Sequence, residues 1–478
     1  MLIGAVLTAT LGLFVKPVTD ADFWLHSRTG RWIVEHRALP AHDLFTYTVP
    51  DHRWVNHEYL TEALMWLLRA RFGLAGVSVA LGVLAWLGLV LVAAACGPRR
   101  RPYAIVGAAV ALGAAAGAPI WGPRPQMVTF ALAALELLWL RRALDSERSR
   151  AILWLPAVMA LWSNLHGGWP AGFLFLGLAL AAEAIAWAAD RSPRRAATMR
   201  RIAAAGALSA IAVGLNPNGL AIYAYPFQTV ASAAQQSLIR EWMSPDFHLA
   251  SLRAFELMAL ALMAGLALGR PSAFDVLVAL AGLALALESV RHIPLFVAAA
   301  TPVLAMTWSD AWTRLAAPRL PSGGGRPARW GPALGAAILL AVAAAIAPGI
   351  AGGLARQPDL TARVVPVGAA DWLAAHPATG TRMFNEYAWG GYLADRFSPA
   401  PNRRVFVVSE GVLMGDAQLL RYRDVATLRP GWRAVLAQDR VDYVVFDSGS
   451  ALDGALANEP GWRLAYRDAT AVVYVRLP

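Results

Sequence analysis

Cysteine is almost missing from this chain of 478 residues. Only Cys96 is present, inside an apolar run, so disulfides and thiolate metal sites are excluded. Charge is scarce as well. Asp, Glu, Lys and Arg make up 15% of the residues, against roughly 25% in soluble domains. Hydrophobic residues make up 58%, and mean hydropathy is +0.47, so most of the chain is expected in lipid. Lysine is reduced to Lys16 beside abundant Arg and Ala, a bias in keeping with GC-rich coding. There is no Walker loop, dinucleotide fingerprint, nucleophile elbow or His-Glu-x-x-His pair, and nucleotide-driven transport is not expected. Nor do polar residues line the centres of the hydrophobic runs as an ion pathway requires. Glu136, Glu183 and Asp275 are scattered, the last two near the cytoplasmic side. The formal charge of +11 would suggest a nucleic-acid partner if it lay on a soluble face. From Ala351 onward, however, 14 Arg face 13 acids, so the excess lies between the hydrophobic segments and no nucleic-acid partner is expected.

Hydrophobic runs, by contrast, are plentiful. A membrane helix needs about 20 apolar residues, usually about 17–25. Runs near that length fall at about 2–18, 74–96, 103–121, 126–140, 151–165, 169–189, 202–216, 254–269, 273–289, 293–308 and 331–350, giving about eleven expected spans. Arginine-bearing gaps alternate with the others. They hold Arg99–Arg101; Arg141, Arg142, Arg148 and Arg150; Arg191, Arg194, Arg195, Arg200 and Arg201; Arg270; and Arg314, Arg319, Arg326 and Arg329. The positive-inside rule makes these gaps cytoplasmic, which places the N-terminus inside and the C-terminal tail outside. The first segment lacks a basic flank, and Lys16-Pro17 stands where small residues would mark cleavage. It is therefore expected as a retained anchor rather than a signal peptide.

Four external loops then carry most of the polar chemistry, at about Pro17–Phe72, Trp121–Gln126, Asn164–Trp169 and Asn216–Arg253. A tight turn, Glu288-Ser-Val-Arg-His292, lies on the same side. The first loop holds two amphipathic stretches, Phe23–Glu35 and Asn56–Leu68, around a Pro40/Asp43 turn. Each is too short and too charged to span, and each has an apolar face suited to the outer leaflet. In the tail, Val405–Val408, Tyr443–Phe446 and Ala471–Val475 read as strands, with helical stretches such as Asp371–Ala375 and Trp432–Gln438 between them. The expected fold class is a mainly α-helical polytopic membrane protein. Residues 1–350 form its membrane domain and residues 356–478 a small extracytoplasmic α/β domain. Pro321–Gly325 reads as a cytoplasmic linker.

Charge gathered at a membrane boundary is costly, so it marks candidate sites. Asp20 and Asp22 follow the first span in Thr19-Asp-Ala-Asp-Phe-Trp-Leu-His26, with Arg28 close behind. Either acid could cap a helix starting near Phe23, but at spacing i and i+2 only one can do so. Glu58, in Trp54-Val-Asn-His-Glu58, could join Asp22 in a carboxylate cluster, or hold Mg²⁺ or Mn²⁺ with Asp22 and His57. It could equally be a first-turn acid on the second amphipathic helix. Arg124 and Arg291 suit phosphate binding, with His292 and His166 beside them. Their alternatives are headgroup snorkelling for Arg124, an Arg291–Glu288 salt bridge, and a structural hydrogen bond for His166. Trp24, His26, Glu58, Glu241 and Trp242 are candidates for contacts with sugar or acceptor. Asn385-Glu-Tyr-Ala-Trp-Gly-Gly-Tyr392 is either a substrate platform or close packing around two glycines.

Together, the acid pair after the first span, two interfacial helices, about eleven spans and an external α/β tail resemble the C-type glycosyltransferase (GT-C) superfamily. That group includes protein O-mannosyltransferases, aminoarabinose transferases and oligosaccharyltransferases. Asp20-Ala-Asp-Phe-Trp-Leu-His26, Trp54-Val-Asn-His-Glu58, Arg124-Pro-Gln126, Leu161-Trp-Ser-Asn-Leu-His-Gly-Gly168 and Asn385–Tyr392 are similar to a bacterial branch of polytopic membrane proteins. The resemblance covers nearly the whole chain. It implies the bacterial inner membrane, a polyprenyl-phosphate-linked sugar as donor, and a first-loop acid as base, which maps onto Asp20 or Asp22. Tyr387–Tyr392 is similar to the oligosaccharyltransferase Trp-Trp-Asp-Tyr-Gly motif but lacks its central acid, so peptide recognition is not transferred. A non-catalytic scaffold of a glycan-assembly system and a lipid-linked-glycan flippase remain the alternatives.

Overall fold

The computed structural model describes residues 1–97, 101–146, 149–315, 331–397 and 403–477. Arg99, Arg100, Arg148, Arg319, Arg326, Arg329 and the Pro321–Gly325 stretch lie outside them. In chain order the helices are α1 (Leu2–Phe14), α2 (Asp22–His36), α3 (Tyr59–Ala95), α4 (Tyr103–Ala116), α5 (Gln126–Asp145), α6 (Leu155–Leu165) and α7 (Pro170–Asp190). Then come α8 (Pro193–Val213), α9 (Ala221–Ala231), α10 (Ala233–Leu238), α11 (Arg253–Leu268), α12 (Ala273–Glu288), α13 (Ile293–Leu315) and α14 (Gly331–Ala355). The tail adds α15 (Gln357–Val364), α16 (Val367–Ala375), β1 (Met383–Asn385), α17 (Gly390–Phe397), α18 (Gly411–Ala426) and α19 (Trp432–Gln438). It closes with β2 (Tyr443–Asp447), α20 (Ala451–Leu456), β3 (Trp462–Arg467) and β4 (Ala471–Arg476).

Two compact units emerge. The first comprises Met1–Lys16, Ser78–Pro217 and Glu241–Leu354; the second comprises Pro17–Val77, Asn218–Arg240 and Ala355–Pro478. The second thus gathers the first-loop residues and part of the fourth loop with the tail.

Every hydrophobic run of the first unit is helical. Among the described residues, six helices are long and apolar enough to cross a membrane, and three shorter apolar helices accompany them. The protein is a multi-pass membrane protein. At its centre is α13, packed against α4, α11 and α12. Small residues let these helices close up, as is usual where lipid supplies no hydrophobic drive between helices. A Cβ on Gly113 would sit 2.6 Å from Thr301 Oγ1, and one on Gly265 2.5 Å from Thr307 Oγ1. The acids within the runs are mostly neutralised locally. Asp275 closes a capping box with Ser272 and pairs with Arg141, and Glu183 lies 3.2 Å from Arg195. Glu136 differs, being fully buried with neither carboxylate oxygen hydrogen-bonded among the described residues.

In the second unit the amphipathic stretches became α2 and the first part of α3. Gly73, at φ 66°, kinks α3 between its amphipathic start and its apolar remainder. The tail holds a four-stranded mixed sheet in the order β1-β2-β4-β3, with only β1 and β2 parallel. Tyr443–Phe446 and Ala471–Val475 are strands as expected, and Asp371–Ala375 and Trp432–Gln438 are helical. Val405–Val408 is a correction. Among the described residues it makes one isolated bridge, Val405 with Thr46, and Met383–Asn385 takes the place beside β2. The reason is a side chain. Asn385 Oδ1 accepts from Phe406 N at 2.8 Å, and its Nδ2 donates to Val407 O at 2.9 Å, so the backbone groups a ladder would use are already bonded.

Candidate functional site

In the second unit, buried titratable groups meet around the start of α2 and the start of α3. Asp20 Oδ1 accepts from the Asp22 N–H at 3.1 Å, a local turn just ahead of α2, whose cap residue is Ala21. One turn on, the ring Nδ1 of His26 lies 3.1 Å from Glu62 Oε1 and 3.5 Å from Glu58 Oε2. Asn56 organises both acids, donating to Glu62 Oε2 at 2.6 Å and accepting from the Glu58 N–H at 3.1 Å. Asn218 in turn donates to the Asn56 carbonyl at 2.8 Å. His57 Nε2 is 2.7 Å from Glu58 Oε1, and its ring stacks on Tyr225 with centroids 3.9 Å apart. The Tyr225 hydroxyl lies 3.4 Å from Glu410 Oε1.

Electrostatics follow from this crowding. Burial opposes a charge on His26, but the carboxylates of Glu58, Glu62 and Asp22 outweigh it and push the imidazole up to about 10. His57 is likewise raised against the cost of burial, chiefly by Glu58. Burial pushes the Glu410 carboxyl above its ordinary range, with His57 opposing. A cationic His26 is a counter-charge and donor rather than a base at neutral pH. Glu62, Glu410, Asn218 and Tyr225 were missed from the sequence. Glu62 had a signal, standing four residues after Glu58 on one helical face. Glu410 had none, since only the fold brings it near His57.

The metal set considered from sequence, Asp22, His57 and Glu58, does not form. Among the described residues no group of three or more His, Cys, Asp or Glu is arranged to hold a metal ion. His57 and Glu58 engage one another instead.

In the first unit, Arg124 and Glu241 form an ion pair, and Gln126 Nε2 lies 3.5 Å from the same carboxylate. Burial would raise the Glu241 carboxyl, but the guanidinium groups of Arg124 and Arg291 hold it below its ordinary range. Arg291 lies 4.2 Å over the Trp242 ring, whose edge also meets His292 at 5.9 Å. The turn is tied down by Ser289 Oγ donating to the Glu241 carbonyl at 2.7 Å and Val290 N donating to Met243 O at 3.0 Å. Arg124, Glu241, Trp242, Arg291 and His292 are therefore one assembly, drawn from three separate loops of the sequence.

Other candidates are placed differently. His166 Nδ1 accepts from the Gly168 N–H at 2.9 Å and lies 2.7 Å from Thr129 Oγ1, a bonding pattern that shapes its own turn. Trp24 is 7% exposed, with Tyr392 against one edge and Arg69 4.8 Å over its face. The glycines of Asn385–Tyr392 serve close packing. A Cβ on Gly390 would lie 2.1 Å from Val407 O, and one on Gly391 2.6 Å from Leu25 N on α2. Glu386 caps the following turn through the Ala388 and Trp389 N–H groups, and burial, reinforced by Asp447, pushes its carboxyl up to about 7.

No protein-family model matches the sequence, and no curated protein sequence matches it either. Solved structures do match. One is ArnT from Cupriavidus metallidurans bound to undecaprenyl phosphate, at TM-score 0.50 and 14% identity, covering 98% of this chain and 96% of that one. Another is the archaeal oligosaccharyltransferase AglB from Archaeoglobus fulgidus, in complex with an inhibitory peptide and a dolichol-phosphate. Its TM-score is 0.53 and its identity 14%, over 99% of this chain and 74% of that one. Both are GT-C membrane glycosyltransferases. The fold of this chain is GT-C-like. At such identity a GT-C-like fold is all that the likeness establishes, and chemistry has to be argued from the side chains.

Proposed function

We propose that the protein transfers a sugar from a polyprenyl-phosphate-linked donor to an acceptor at the outer face of the bacterial inner membrane, with inversion. Its N-terminus is cytoplasmic and its tail extracytoplasmic in this reading. The observation that carries it is the acid pair at the head of α2 in a GT-C-like fold. Asp22, the first residue of α2 and one turn before His26, is the acid assigned as base.

Asp22 takes the proton of the acceptor hydroxyl as its oxygen attacks the anomeric carbon. The bond from that carbon to the phosphate oxygen breaks, and the lipid phosphate leaves with the bonding electrons. General-base assistance of this kind contributes about 10²–10⁴-fold. In the first unit, Arg124 and Arg291 are assigned to the lipid phosphate, Glu241 and Trp242 holding the two guanidinium groups in place beforehand. His166 and Trp24 are assigned to support rather than to substrate, because their polar or aromatic faces are already used. No step is routed through a metal ion.

The test is a transfer assay on the full chain in lipid, using radiolabelled polyprenyl-phosphate sugars. Wild type should release label from the lipid. Asp22→Asn should lose about 10²-fold or more, while Asp20→Asn, whose amide oxygen can accept the same Asp22 N–H, should change the rate little. Full activity in the Asp20→Asn/Asp22→Asn double variant would sink the base assignment. Donor that crosses the bilayer without bond cleavage would favour the flippase reading.

A further inference from the structure

Three helices of the first unit leave a groove between them, a cavity of about 530 Å³. Its walls include Ile105 and Ala108 of α4, Ala261 and Leu268 of α11, and Trp308 and Leu315 of α13. Such a volume lies within the usual range of ligand pockets, about 300–1,000 Å³. On α4 the lining residues recur at i, i+3, i+4 and i+7, so one face of the helix forms that wall, and its alanines open the space. The wall is apolar throughout. The indole N–H of Trp308, a polar atom that could have faced inward, donates to the Ala261 carbonyl at 3.0 Å. A cavity without polar partners does not hold ordered water, but it does suit hydrocarbon.

One end of the groove is basic. Leu268 and Leu315 end α11 and α13, Arg270 follows Leu268 by two residues, Arg314 adjoins Leu315, and both arginines are exposed. Arg314 Nε lies 3.4 Å from the Asp310 carbonyl one turn back. Arg101, just ahead of α4, donates to the Cys96 carbonyl. Trp312, 45% exposed, lines the groove near this end, as aromatic residues do at headgroup depth. From Ile105 to Leu112 the wall runs about 10 Å along α4. That is within the roughly 15 Å of hydrocarbon in one leaflet, a length that suits an acyl chain better than a long isoprenoid.

We propose that this groove binds one acyl chain of an anionic membrane phospholipid, with Arg270 and Arg314 meeting its phosphate. The site does not depend on the proposed transfer chemistry.

Native mass spectrometry of the full chain, loaded with phosphatidylglycerol or with phosphatidylcholine of the same acyl chains, tests it. Wild type should retain the anionic lipid about thirtyfold better, the effect of two arginines near a headgroup of net negative charge, whereas choline cancels the phosphate charge of the other lipid. Ala108→Trp, which fills the groove from its lipid-exposed side, should release both lipids. Arg270→Gln/Arg314→Gln should bind the two lipids alike, and Leu257→Trp, exposed on α11 outside the groove, should behave as wild type. Equal retention of both lipids by wild type, or unchanged binding in Ala108→Trp, overturns the proposal. So does displacement of phosphatidylglycerol by an equal concentration of polyprenyl phosphate.

Discussion

His26 offers a direct test of the electrostatics at the head of α2, because its charge is sustained by neighbours rather than by water. Its side chain is 17% exposed, with Glu62 at 3.1 Å and Glu58 at 3.5 Å. An unfolded histidine loses its proton near 6.5, whereas in the folded chain the imidazole keeps it to about 10. A folded value above the unfolded one gives stability that is fully present below about pH 6.5. That stability is lost as pH rises towards about 10. At about 1.4 kcal/mol per unit, the gap corresponds to on the order of 5 kcal/mol. The assay is thermal unfolding of the full chain in detergent, measured in steps from about pH 6 to about pH 10. Wild type should weaken steadily over that window. His26→Gln should start less stable, because Glu58 and Glu62 are left without their counter-charge, and should then lose less over the window, keeping the fall that the raised His57 contributes. Glu62→Gln should move the wild-type loss to lower pH. Parallel curves for wild type and His26→Gln would refute the reasoning.

Further outcomes follow from other contacts. Gly391→Ala puts a methyl group 2.6 Å from the Leu25 backbone, so α17 must move off α2. A loss of about 1–3 kcal/mol is expected in unfolding of the full chain, and an unchanged midpoint would show that the two helices yield. Arg124→Gln removes the partner of Glu241 and should cost roughly 1–3 kcal/mol, much of it recovered in Arg124→Gln/Glu241→Gln. Additive losses in that double-mutant cycle would disprove the pairing. Glu386, its carboxyl pushed up to about 7 by burial and Asp447, holds its proton more tightly folded than unfolded. Stability should therefore fall by on the order of 3 kcal/mol between about pH 4.5 and 7, and Glu386→Gln should remove that fall.

Local pattern determined a good deal of this protein. The helical runs, the two amphipathic stretches of the first loop, and two of the three expected tail strands depend on periodicity within ten to twenty residues, and they appear where the sequence places them. So did the GT-C-like fold, since the order of hydrophobic runs and polar loops is itself a local property summed along the chain. Tertiary structure decided the pairings. Val405–Val408 has the composition of a strand, yet Asn385, some twenty residues away, bonds its backbone and leaves β1 to pair with β2. Asp20 and Asp22 look alike in sequence, and only the structure shows Asp20 ahead of α2, accepting from the Asp22 N–H, and Asp22 as its first residue. Glu410 joins His57 from more than three hundred residues away, and Arg124 meets Glu241 across more than a hundred. Hydropathy reports where a residue can be buried, but not which distant charge will be buried beside it. That choice is made by packing, because a buried charge is tolerated only where the fold supplies its partner.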